Sequence, residues 1–131
     1  MNEKIDLDSF IVVENELDET LLAESVKPFL LRILPDGTSE CSQRFQGLSV
    51  ARKLLVEILI SKIKFVKKIA KTNSEEVSLK ELMNKKNNLG ASEESIKKSF
   101  NRELKHIVKK GEKGYYVPNY DLKKAKEYLE K

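Results

Sequence analysis

From Leu48 to about Thr72 the chain runs without glycine or proline and spaces its apolar residues three and four apart. Ala51, Leu54, Leu55, Ile58, Leu59, Ile63, Val66, Ile69 and Ala70 fall on one side, and Lys53, Glu57, Lys64, Lys68 and Lys71 largely on the other. That period is the one a helix needs to bury a face, so the spacing predicts a long helix over 48–72 with Ser49 as its N-cap. Val56, Ile60 and Phe65 widen the apolar face beyond one stripe. Such a helix is either the centre of the core or shared with a second copy, and we expect a homodimer through helix 48–72.

The rest of the chain must fit around that rod. At 131 residues there is length for one compact core and an extension, not for two cores. No apolar run approaches the roughly 20 residues that cross a bilayer, and the longest, Leu54 to Ile60, contains Glu57. The opening Met1-Asn2-Glu3-Lys4-Ile5-Asp6 has neither the basic nor the apolar region of a secretory signal, which predicts the cytoplasm. One cysteine, Cys41, and one histidine, His106, leave no internal disulfide and no Cys/His zinc site. Cys41 reads as a small structural residue and His106 as a packed or capping one, and no metal or other cofactor is expected.

Charge divides the sequence unevenly. Residues 1–26 carry eight acids against Lys4 alone, whereas the remainder holds 24 cations against 13 acids. A basic body behind an acidic segment points to a polyanion partner, or to the two halves meeting each other. No Gly-rich phosphate loop, nucleophile elbow or carboxylate pair in an apolar setting is present, so an enzyme is not expected.

Residues 1–47 read as an acidic N-terminal extension. Phe10-Ile11-Val12-Val13 is a strand or a short docking segment. Asp18-Glu19-Thr20 begins a helix over Leu21, Leu22 and Val26 that Pro28 ends. Pro35-Asp36-Gly37-Thr38 turns a hairpin between Phe29–Leu34 and Thr38–Phe45, although helix up to Leu34 stays open. Beyond the long helix, Ser78 and Glu81 have capping-box spacing ahead of a short helix burying Leu79, Leu82 and Met83. Asn87-Asn88-Leu89-Gly90-Ala91 is a turn. Ser92 caps a third helix, with Glu93 and Glu94 in its first turn and Ile96, Phe100, Leu104 and Ile107 inward. Two short strands follow around Lys109-Lys110-Gly111-Glu112-Lys113-Gly114, and Asp121 caps a final helix burying Leu122, Ala125 and Leu129.

Three helices and then a basic hairpin form the order seen over Leu48 to Val117. Together with Ser78-Leu79-Lys80-Glu81-Leu82 and Leu89-Gly90-Ala91-Ser92-Glu93-Glu94-Ser95-Ile96, it resembles the winged helix-turn-helix DNA-binding family, in particular its small archaeal-type regulators. The interval filled by Asn84-Lys85-Lys86-Asn87-Asn88 is longer than that family's usual turn. The resemblance implies a mainly α protein with small β-hairpins (α+β), a winged-helix domain at 48–131, double-stranded DNA as partner, a recognition helix in the major groove and the hairpin as a wing on the backbone.

The residues support the same site independently. With Ile96, Phe100 and Leu104 inward, helical spacing turns Lys97, Lys98, Asn101, Arg102 and Lys105 outward, and Lys109, Lys110 and Lys113 add three cations on the hairpin. Arginine suits guanine, asparagine suits adenine, and lysine meets phosphate. These eight residues are the candidate nucleic-acid contacts of a DNA-binding transcription regulator. Competing readings are a solvated lysine face and a winged-helix adaptor that binds protein through helix 48–72. The acidic segment is a candidate cover for the basic surface.

Overall fold

In the computed structural model, residues 17–84 and 91–131 are described. The expected strand or docking segment at Phe10–Val13 and most of the turn at Asn87–Ala91 lie outside them. The described residues form a small α+β protein with six α-helices and two antiparallel hairpins. Helix α1 (Glu19–Val26) starts where Asp18 accepts a hydrogen bond from the Leu21 amide at 2.9 Å, and it ends ahead of Pro28. Strands β1 (Leu30–Ile33) and β2 (Ser39–Cys41) follow, then the single turn α2 (Gln43–Gln46). The second strand is therefore shorter than the expected Thr38–Phe45. Ser42 turns the chain, its amide donating to Phe29 O and its hydroxyl to Pro28 O, and α2 drops Phe45 into the core at 1% exposure.

The long helix is α3 (Val50–Val66), capped by Ser49, whose hydroxyl accepts from the Arg52 amide. It stops six residues before the expected end at Thr72. Lys68, Ala70 and Lys71 all have positive φ, near 55°, so periodicity continues through a backbone that has left the helix. Each such residue costs about 1–2 kcal/mol, which only tertiary contacts can offset. Val77 then pairs with Tyr115, α4 (Leu79–Leu82) follows its Ser78 cap, and α5 (Glu93–Asn101) follows its Ser92 cap. Strands β3 (Lys109–Lys110) and β4 (Tyr115–Tyr116) make the second hairpin, and α6 (Leu122–Glu130) closes the chain.

One apolar cluster holds these elements together, with α3 packed against α1, α5, β4 and α6. Leu54, Leu55, Val56, Ile58, Leu59 and Ile60 have no exposed surface, so two residues that suggested a shared face, Val56 and Ile60, are covered within one chain. The third, Phe65, is 39% exposed. Leu22, Val26, Phe29 and Phe45 from the first 47 residues belong to the same cluster. Asp121 precedes α6 as expected but makes no capping bond. It is buried beside Lys124 at 3.5 Å, because a 3-10 turn at Asn119–Asp121 draws its side chain inward. Among the described residues no helix is long and apolar enough to cross a membrane.

Candidate nucleic-acid interface

Helix α5 buries Ile96, Ser99 and Phe100 and leaves Lys97, Lys98 and Asn101 exposed, as its period requires. It ends earlier than the expected Ile107. Arg102 adopts φ −117°, ψ −84°, and the chain continues through turns in which the Leu104 amide donates to Ser99 O and the Val108 amide to Leu104 O. Leu104 and Ile107 are still buried, so the inward pattern survives the loss of helix. Arg102 and Lys105 are exposed as expected, but an irregular turn presents them rather than a helix face. His106 is exposed in the same turn and is neither packed nor capping, since the early end of α5 rotates it outward.

Three contacts fix the β3–β4 hairpin against the body. The Phe100 and Tyr115 rings stack with centroids 3.8 Å apart and planes 10° apart, joining α5 to β4. The Val77 amide and carbonyl both bond Tyr115 at 2.8 Å. The third is the Glu76 carboxylate, which accepts hydrogen bonds from the backbone amides of Lys113, at 2.8 Å, and Gly114, at 3.0 Å. Beneath the strand, buried Lys62 on α3 donates to Val117 O at 3.0 Å and to Glu75 at 2.9 Å. An ammonium only 2% exposed would be severely penalised without such partners. Tyr115 and Tyr116 are both half-buried, Tyr115 in the stack with Phe100.

The expected contacts fall into two groups on these joined elements. Lys97, Lys98, Asn101, Arg102 and Lys105 lie on α5 and the turn after it. Lys109, half-buried, and the exposed Lys110 and Lys113 lie on the hairpin. The Lys110 ammonium reaches to 5.9 Å from the Tyr115 ring centre, on the side chain that stacks with α5. Lys97 pairs with Glu93 one helical turn away, at 3.3 Å, with both side chains more than half exposed. Pairs of that kind contribute little. Among the described residues, no carboxylate is within ion-pair distance of Lys98, Arg102, Lys105, Lys109, Lys110 or Lys113.

Sequence reasoning missed Glu76 and Lys62. The signal for Glu76 was the pair Gly111 and Gly114. A Cβ on Gly111 would sit 2.2 Å from the Glu76 carboxylate, and one on Gly114 would sit 2.3 Å from Val77 O, so both glycines permit close approach. For Lys62 there was none, since a lysine on an amphipathic helix reads as solvated. Cys41 is half-buried and burial pushes its thiol pKa up to about 11, which keeps it protonated and suits the structural reading. Among the described residues no group of three or more His, Cys, Asp or Glu side chains is placed to hold a metal ion. No model of a known protein family, no curated protein and no solved structure matches the chain.

Proposed function

We propose that this protein binds double-stranded DNA as a cytoplasmic, non-enzymatic transcription regulator, with a winged helix-turn-helix made of α3, α4, α5 and the β3–β4 hairpin. The carrying observation is six cations without carboxylate partners among the described residues, borne on α5, the turn after it and the β3–β4 hairpin, with helix and hairpin joined by the Phe100–Tyr115 stack. Counterions condensed on phosphates are released when such a surface docks, and rigid spacing between its two halves lowers the ordering loss on binding. The acids Glu93 and Glu94 stand at the start of α5, so the end bearing Asn101, Arg102 and Lys105 faces the duplex, with Lys110 and Lys113 on phosphate. Asn101 and Arg102 are the candidates for base contact.

Reversing Arg102 and Lys105 to glutamate together tests the reading. Anisotropy of a labelled duplex at low salt is expected to show affinity falling about tenfold or more, as two phosphate-facing charges change sign. An unchanged affinity would overturn the assignment.

A second reading, a protein-binding adaptor, rests on the exposure of Leu31 at 68% and Phe65 at 39%. A homodimer through α3 would likewise use Phe65, as Val56 and Ile60 are already covered. Such complexes persist at high salt, where DNA binding by lysines fades.

A further inference from the structure

The described chain enters at Leu17, two residues before α1, beside a groove of about 600 Å³ between α1 and the end of α3. Leu22, Ala23, Ile63 and Val66 supply its apolar surface, and Lys27 and Lys67 stand on its rim. Glu19, also on the rim, pairs with Lys67 at 2.7 Å, and Glu24 pairs with Lys126 on α6. Lys27 has no carboxylate partner among the described residues, and Lys68 and Lys71 follow Lys67 without one either. The groove is thus apolar within, and of the two lysines in its lining Lys27 is the one left without a carboxylate partner among the described residues. None of its lining residues belongs to α5 or the β3–β4 hairpin.

We infer that this groove is the seat of the chain's own N-terminal segment, with Phe10-Ile11-Val12-Val13 as the occupant. Within residues 1–16 that run is the one continuous apolar stretch, and the acids around it, Asp6, Asp8, Glu14 and Glu16, are opposite in charge to Lys27 on the rim. Reach is sufficient: three residues lie between Val13 and Leu17, and the four Cα-to-Cα steps span about 14 Å in an extended chain. The lining begins only two residues beyond Leu17, at Glu19 and Thr20. Tethering raises the local concentration of the segment to the order of millimolar, so even a weak apolar seat is largely filled. This inference is independent of DNA binding, because the groove shares no residue with the proposed interface.

The test uses the full chain with a photoreactive p-benzoylphenylalanine introduced at Ala23, an exposed lining residue. After irradiation and digestion, cross-links are expected within one chain to peptides spanning residues 8–16, at a yield independent of protein concentration. That yield is expected to be lost in the double substitution Phe10→Asp and Val12→Asp, which leaves every described core residue intact. Cross-links joining two copies would overturn the inference, since the groove would then be an interface. So would a yield that the double substitution leaves unchanged, or an absence of any cross-link to residues 8–16.

Discussion

The two hairpins of this protein treat charge in opposite ways. In β1–β2, Arg32 on one strand faces Glu40 on the other, with Nε and a terminal nitrogen donating to the two carboxylate oxygens at 2.7 and 3.1 Å. That hairpin neutralises itself. In β3–β4 the Glu76 carboxylate comes from outside the hairpin and is spent on backbone amides, while among the described residues no carboxylate is within ion-pair distance of Lys109, Lys110 or Lys113. Rigidity is supplied and charge is left over. A hairpin built for stability alone gains from cross-strand pairs, so the one that forgoes them is the one to examine for a partner.

Glycine substitutions should separate the two most strongly. Gly114→Ala pushes a Cβ to 2.3 Å from Val77 O, in a backbone rung that has no slack, and is expected to destabilise by about 3 kcal/mol or more. Gly37→Ala, at the tip of β1–β2, meets the Ala70 methyl at 2.9 Å with φ +91°, and about 1–2 kcal/mol is expected. Urea unfolding of both variants checks the order, and a Gly37 variant costlier than the Gly114 one would reverse the account of which hairpin is more tightly held.

A smaller and pH-dependent effect is expected at Glu57, which faces Cys41 near β1–β2. Burial raises its carboxyl pKa from 4.5 to about 7, with Lys64 opposing in part. A carboxyl whose folded pKa is raised is penalised when charged, so its contribution is most favourable below pH 4.5, declines as pH rises from 4.5 to 7, and is level above that. Glu57→Gln should therefore leave stability unchanged at pH 4 and raise it at pH 8 by about 2 kcal/mol, allowing for partial exposure. Denaturant midpoints at the two pH values decide this, and equal gains at both would refute it.

The least effect is expected from Arg32→Ala. Its guanidinium and the Glu40 carboxylate are both in water, where each perturbs the other's proton affinity in the favourable direction yet a single pair changes stability little. Neither melting temperature nor duplex affinity should move measurably, in contrast to Lys110 on the other hairpin.

What the sequence made legible was local. Asp18, Ser49, Ser78 and Ser92 were all readable as N-caps, and all four side chains accept the expected amide bond, because a cap is decided within three residues. The inward faces of α3 and α5 were readable from period alone. The places where helix stops were not: Lys68 and Arg102 leave helical geometry where the apolar periodicity runs on unbroken. Nor was Asp121, whose position is that of a cap but whose side chain turns into the core. The candidate site was legible as a set of cations, since exposure follows from the buried face. Its fastening was not, because Glu76 reaches Lys113 and Gly114 across more than 35 residues, and Lys62 reaches Val117 across 55.

Salt dependence of duplex binding measures the unpaired charge of the second hairpin directly. The slope of log affinity against log salt should be clearly negative for the unaltered chain, and Lys110→Ala with Lys113→Ala should make it shallower by about 2, close to one for each phosphate left unneutralised. Absence of binding at about 50 mM salt, or a slope that the paired substitution leaves unchanged, would contradict the assignment of those lysines to phosphate.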